Sequence, residues 1–260
     1  NVTNHCPWED VLKNVPTNPR FLYSVMDRFP PEKTMEVFEA MGVPLKTERG
    51  NRVFPVSDRA GDVVSALRAY VERSGVECRK SIVTGLLIKN GILQGVETAQ
   101  GSYRAPKVIV ATGGMSYPRT GSTGDGYAFA RQAGHTITPI SGSLVPLEIA
   151  GGECRKLQGL TLRNIGLKLL GNGKKPVYEN QGELLFMPYG LSGPIILSAS
   201  AHMDEKKGPY TIELDLKPAL DEKKLDARIL RDFAEKQNES IYEGIRGLLP
   251  KDMVPLILDR

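Results

Sequence analysis

The sequence predicts a mixed α/β fold in two parts, and three observations predict it. In the first half the apolar period alternates between that of helices and that of strands, ending in a β-branched run, a glycine loop and a helix at Val108–His135. Between Leu144 and about Leu216 short strand-like pieces are separated by Gly and Pro. Beyond Lys217-Pro218 the helical period returns. The first half therefore reads as an α/β sheet with a small antiparallel excursion, the second as a β-rich unit with a helical extension.

Taken in order, residues 18–29 and 31–41 read as two short helices, the second opened by Pro31 and stopped by Gly42. Residues 43–56 read as a hairpin turning at Gly50-Asn51. The clearest helix follows: Asp58 is placed to cap it, Val63, Leu67, Tyr70 and Val71 fall on one face, and Gly75 ends it. Residues 76–83 form a strand pattern, and 86–88 pair with 92–96 across Asn90-Gly91, a two-residue hairpin signal. Residues 108–111 suit a parallel strand buried on both faces. The second half offers strands at 160–162, 165–170, 177–179, 184–186, 195–197 and 210–216. Helices follow at 221–236, with Leu225, Ile229, Leu230 and Phe233 as an apolar stripe, and at 240–249. The architecture changes near Ser141–Leu144, so the expected domains are 1–143 and 144–260, the latter helical from about 219.

Composition excludes several classes. An apolar share of 40% and a charged share of 25% are those of a soluble globular chain. The net charge is +4, with no compact basic stripe to argue for nucleic acid, and no apolar run approaches a bilayer span. Cys6, Cys78 and Cys154 include no CxxC, which points to a reduced, cytoplasmic setting. The three histidines lie far apart, so no metal is expected. Glycosylation sequons begin at Asn1 and Asn238, but no secretory signal accompanies them. A chain opening on Asn1 rather than Met reads as processed or cut from something longer.

The glycine loop carries the chemistry. A parallel strand ending at Ala111 would leave Thr112, Gly113 and Gly114 at the sheet's carboxyl edge, where open α/β sheets bind ligands. Thr123-Gly124-Asp125-Gly126 opens a helix whose free N–H groups favour an anion. Asp125 complicates that account, either capping the helix or meeting a ligand hydroxyl. The bland alternative is that these glycines only shape a long turn. Neither GxGxxG nor GxxxxGK[ST] occurs anywhere in the 260 residues.

"VIVATGG" followed by "TGSTGDGYAFARQAGH" resembles the second FAD-contacting segment of fumarate-reductase and glutathione-reductase-type flavoproteins. More specifically, the chain resembles a bacterial family of NAD(P)/FAD-dependent, aminoacetone-oxidase-like oxidoreductases that includes the BaiN-like flavoproteins, with their HI0933-like insert domain. "NVTNHC" resembles the tail of that family's "RCNxTN" segment. "RVFPVSDRAGDVVSALRAYVERSGVE", "SGSLVPLEI" and "GELLFMPYGLSGPIIL" resemble further blocks, so the likeness spans nearly the whole chain.

The resemblance implies a partial FAD-binding, Rossmann-like domain followed by an inserted β-rich domain that covers the flavin and shapes a small-molecule substrate pocket. It also implies that the family's GxGxxG and a later glycine-rich flavin segment lie outside this stretch. The fragment alone would then bind FAD weakly and turn over nothing. Carried over residue by residue, Ala111, Thr112, Gly113, Gly114, Thr123, Gly124, Asp125 and Gly126 would approach FAD. Asn1, Thr3 and Asn4 would lie near the isoalloxazine, and Ser81, Ile82 and Val83 near the adenine. Tyr117 and Arg119 are substrate candidates, Arg119 equally a pyrophosphate ligand or a solvated side chain. NAD(P)H is the implied electron donor, and a dimer or complementing chain is a further expectation. Met187-Pro188 departs from the family, where a Thr followed by His or Asp is expected. Two rival readings stand beside this one: a thiolate at Cys6 paired with His5, and a module binding protein or nucleic acid through Lys174-Lys175 and Lys206-Lys207.

Overall fold

The computed structural model describes residues 1–260 apart from Lys174, Gln237, Asn238 and Arg260 and the side chain of Glu205. One lysine of the 174–175 doublet and the Asn238 sequon thus lie outside the described residues. The chain divides into two compact units, 1–140 and 141–260.

In the first unit, β1 (Thr3–Asn4) and β2 (Leu45–Glu48) flank β3 (Arg52–Pro55) in an antiparallel sheet. Before β2 come α1 (Trp8–Lys13), a 3-10 turn at Pro19–Leu22, α2 (Tyr23–Arg28) and α3 (Pro31–Ala40). The hairpin from β2 to β3 turns through Gly50 (φ 77°) and Asn51 (φ 58°), and Gly42 (φ 86°) stops α3 as the sequence predicts. α4 (Ala60–Arg73) packs on β3 but buries no residue; Val64 is 65% and Tyr70 54% exposed. Asp58 does not cap α4. It sits at φ 57°, its carboxylate pairs with Lys46 Nζ at 2.7 Å, and Arg59 is the N-cap residue.

β4 (Val83–Lys89), β5 (Ile92–Thr98) and β6 (Gly101–Arg104) form a second antiparallel sheet. Asn90 (φ 51°) and Gly91 (φ 75°) both take the left-handed conformation that a tight hairpin needs. α5 (Asp125–Gln132) packs against β4. Two expected strands are not formed. Residues 76–82 and 107–114 carry no regular structure, and Ile109, expected to be buried, is 92% exposed. The reason is physical: a strand apolar on both faces needs strands beside it, and every pairing among the described residues is antiparallel and lies elsewhere.

The second unit is a five-stranded antiparallel sheet in the order β11-β8-β9-β10-β7. Its strands are β7 (Leu147–Glu148), β8 (Thr161–Leu170), β9 (Tyr178–Met187), β10 (Gly190–Ser192) and β11 (Thr211–Asp215), with α6 (Glu153–Lys156) between β7 and β8. The short strands expected at 160–170 are one strand with an irregularity between Leu162 and Ile165; those at 177–186 are likewise one. Alternate residues Ile165, Leu167 and Leu169 face the core with Leu184 and Phe186. Residues 195–197 are helical rather than extended: Gly193 (φ 98°) ends β10's path and Pro194 starts α7 (Pro194–Ser200). α7 buries Ile195, Ile196 and Ala199 against the sheet, and that burial overrides the strand preference of the two β-branched isoleucines. Beyond β11, α8 (Glu222–Glu235) is capped by Asp221, which accepts from Lys224 N–H at 2.8 Å. α9 (Ile241–Ile245) packs on α8, and α10 (Val254–Leu258) follows, with Met253 reaching the sheet's core. No helix among the described residues is long and apolar enough to cross a membrane.

Candidate functional site

The glycine loop closes on itself through absent side chains. A 3-10 turn at Pro118–Thr120 forms where Thr120 donates its N–H (3.0 Å) and its hydroxyl (2.8 Å) to the Tyr117 carbonyl. Gly121 (φ 95°) leaves that turn and Gly124 (φ 89°) opens α5. A Cβ on Gly126 would stand 2.7 Å from Thr112 Oγ1 and 3.4 Å from Val110 Cγ1. The first turn of α5 therefore lies directly on residues 110–112, as only glycine permits. A Cβ on Gly124 would stand 2.9 Å from Met115 Cγ, and one on Gly113 (φ 73°) 3.0 Å from Ser122 Oγ.

That fold leaves donors facing outward. Among the described residues no backbone N–H from Lys107 to Arg119 donates to a protein acceptor. Ala111, Thr112 and Gly113 are exposed. Asp125 does not cap α5: Gly124 is the N-cap residue, and the Asp125 carboxylate accepts from the Thr123 hydroxyl at 3.0 Å. Its charge is thus turned along the loop; the Tyr127 N–H donates to the Gly124 carbonyl at 3.0 Å, and the Asp125 and Gly126 N–H groups are left to other acceptors.

The structure joins one further predicted residue to this arrangement. Val83 opens β4, and three residues on, Leu86 is gripped by Gln132 of α5. Gln132 Oε1 accepts from Leu86 N–H at 2.8 Å and its Nε2 donates to the Leu86 carbonyl at 2.9 Å. Sequence reading missed Gln132; the available signal was its place one turn after Phe129, the buried residue of α5. Ile82, beside Val83, is 77% exposed, and the Ser81 hydroxyl donates to Gln100.

Asn1, Thr3 and Asn4 go to a different sheet. Thr3 and Asn4 pair with Val53 and Arg52, and Asn4 Nδ2 donates to the Gly50 carbonyl at 3.0 Å. Asn1 lines an apolar cavity of about 490 Å³ with Val2, Phe38, Phe54, Val63 and Val64. None of the glycine loop lines it.

The remaining candidates are placed as follows. Tyr117 and Arg119 are both exposed at the 3-10 turn. His5 Nδ1 lies 3.1 Å from Thr47 Oγ1, and burial pushes the Cys6 thiol up, with Asp10 and Glu32 adding to it. A thiol held protonated, beside an imidazole directed at a threonine, is not a nucleophilic pair. Pro188 sits with Tyr189 in the turn between β9 and β10, where a missing backbone donor breaks no ladder bond. Lys207 of the second lysine doublet pairs with Asp204 at 3.4 Å. Among the described residues no three of His, Cys, Asp or Glu gather as a metal would require.

Comparison with known proteins places this geometry in context. The model of the HI0933-like protein Rossmann domain matches residues 1–210. The chain is 29% identical over 251 residues to a 3-dehydro-bile acid delta(4,6)-reductase of Clostridium scindens, covering 93% of this chain and 59% of the relative. It is 27% identical over 246 residues to a ribosomal RNA dihydrouridine synthase of Escherichia coli, covering 91% of this chain and 57% of that one. The Haemophilus influenzae protein of the same name is 26% identical over 252 residues, 94% of this chain and 59% of its own. The chain thus spans about three-fifths of the length of these relatives.

Proposed function

The chain belongs to the HI0933-like Rossmann-domain family, and on that premise we propose that it forms part of the FAD site, and the insert domain, of a flavin-dependent oxidoreductase. The observation that carries this reading is the bare backbone of Ala111–Gly114 set against the start of α5, with Gly126 on Thr112. A diphosphate needs N–H donors, a helix N-terminus and no Cβ in the way. Thr112, Gly113, Gly114, Gly124 and Gly126 fit that demand, whereas the Thr123 N–H is already given to the Gly121 carbonyl at 3.1 Å; Asp125, accepting from the Thr123 hydroxyl, is free to accept from a ribose hydroxyl as well. When bound, FAD supplies the transfer of a hydride from reduced nicotinamide to substrate.

The two kinds of relative, as their names say, reduce a bile acid and make dihydrouridine. Each product follows from saturating a C=C bond conjugated with a carbonyl. We take the substrate here to be an activated alkene of that class. On this reading Arg119 and Tyr117 polarise its carbonyl oxygen, a guanidinium and a phenol O–H both being donors to a developing oxyanion. The second unit is then the domain that contributes to substrate recognition.

The test is a titration of the 260-residue chain and of a longer protein containing it with FAD. The longer protein is expected to hold flavin through purification and to oxidise NADH or NADPH when given an enone. The shorter chain is expected to bind FAD weakly. Stoichiometric flavin on the 260 residues alone would overturn the view that other polypeptide completes the site. No flavin on either would remove the flavoprotein reading altogether.

A further inference from the structure

α5 is anchored at both of its ends. At its start Gly126 rests on Thr112, and at its last residue Gln132 grips the backbone of Leu86. Those ends are about 10 Å apart along an α-helix of this length. β4 is an edge strand, paired with β5 on one side only. In an antiparallel pair alternate residues point their N–H and C=O outward, away from the partner. Leu86 presents such a donor and acceptor, and the Gln132 amide satisfies both at 2.8 and 2.9 Å. A side-chain amide has the same donor and acceptor as a peptide group, so Gln132 occupies the place of one residue of a neighbouring strand. The bonds are partly buried and join residues 46 positions apart in sequence.

We propose that Gln132 is the positioning residue of the dinucleotide site: by clamping Leu86 it holds α5, and with it the loop ending in Thr123-Gly124-Asp125-Gly126, at a set distance from β4 and Val83. The proposal rests on the FAD reading above, because it assigns the phosphate end of the ligand to the loop and the adenine end to the start of β4. Without the clamp α5 keeps its glycine contact and the packing of Phe129 but loses its hydrogen bonds to β4, and a ligand that must meet both ends binds a site freer to rock.

ADP, which carries the adenine and both phosphates, is the probe, with FAD beside it. Gln132→Met removes both bonds at nearly constant length and is expected to weaken ADP and FAD about tenfold, the scale of two neutral hydrogen bonds. Exchange of the Leu86 amide proton should quicken in the same variant. Gln132→Glu supplies a signature that general loosening does not. Its ionised carboxylate faces the Leu86 carbonyl and repels it; protonated, it again accepts from the N–H and donates to the C=O. Affinity for ADP in that variant, relative to wild type at each pH, should therefore recover as the solution is acidified, whereas Gln132→Met stays flat. A folded Gln132→Met chain with fast Leu86 exchange and unchanged affinity overturns the proposal. Should that variant fail to fold, a Gln132→Glu chain with no acid recovery does the same. If wild type binds neither ADP nor FAD, the flavoprotein reading falls and takes this proposal with it; loss confined to the variants bears on the clamp alone.

Discussion

The two units bury their apolar side chains very differently. In the second, Leu167, Leu169, Leu184 and Ile196 are almost fully buried and join Leu162, Ile165, Phe186, Leu191 and Ile195 in one cluster. In the first, apart from Pro31 and Pro55, the buried apolar side chains are Leu12, Val43, Val53, Leu86 and Phe129, while Phe21, Val64, Tyr70, Ile82 and Ile109 are more than half exposed. Composition does not separate them; pairing does. All five strands of the second unit find antiparallel partners within it, β8–β9 and β9–β10 across short connections and β11–β8 and β10–β7 across long ones. In the first unit residues 108–111 have the pattern of a strand covered on both faces, and neither they nor 76–82 have a strand beside them. Bare backbone and sparse core are thus one observation, since residues 111–113 are left exposed where 107–111 are unpaired.

The comparison sharpens into experiments. Its largest expected effect is at Leu169, fully buried in β8: Leu169→Ala should cost about 2–5 kcal/mol in denaturant unfolding of the second unit. Next is Gly244, where a Cβ would overlap the Phe233 ring between α9 and α8; Gly244→Ala should cost about 1–3 kcal/mol by overpacking, read in the same melt. Third comes a pH effect. Asp232 lies nearly buried on α8, and Arg228, whose Nε is 2.8 Å from both carboxylate oxygens, holds its pKa below the ordinary value, with Arg231 assisting. Because the folded pKa is the lower one, the stabilisation is present above the unfolded value and is lost as pH falls through the folded one. Acid melts of wild type should therefore fall more steeply than those of Asp232→Asn. The smallest effect is expected in the first unit: Ile109→Ser, at a side chain already in water, should shift stability by less than about 0.5 kcal/mol. A large loss there would show that residue 109 is packed in solution and would break the contrast.

Legibility in the sequence followed the range of the interactions. Asn90-Gly91, Gly50-Asn51, Pro31 with Gly42, and the helix beginning after Asp221 were readable because a turn or a cap is decided within a few residues. The caps assigned to Asp58 and Asp125 failed over one residue each: Asp58 is drawn to Lys46, and Gly124, at positive φ, takes the cap position itself. Ile195–Leu197 looked like strand and became helix because the sheet below it had room for a buried helix face. The glycine loop was readable from its spacing as a long turn opening a helix, and its ligand role was implied only by the family resemblance. The role of Gln132 was not readable, since its partner is 46 residues away and its one local mark is its place a turn after Phe129.

By itself, then, the sequence determined the turns, most helix limits, the alternating core of β8 and β9, and the glycine spacing that lets α5 approach residues 110–112. These depend on backbone conformation and period, which each short stretch carries with it. Only the tertiary structure decided which strands pair, that the glycines face Ser122, Met115 and Thr112, and that Gln132 takes the edge of β4. Those outcomes depend on which distant groups compete for the same donors, acceptors and apolar surface, and no local pattern records the result of that competition.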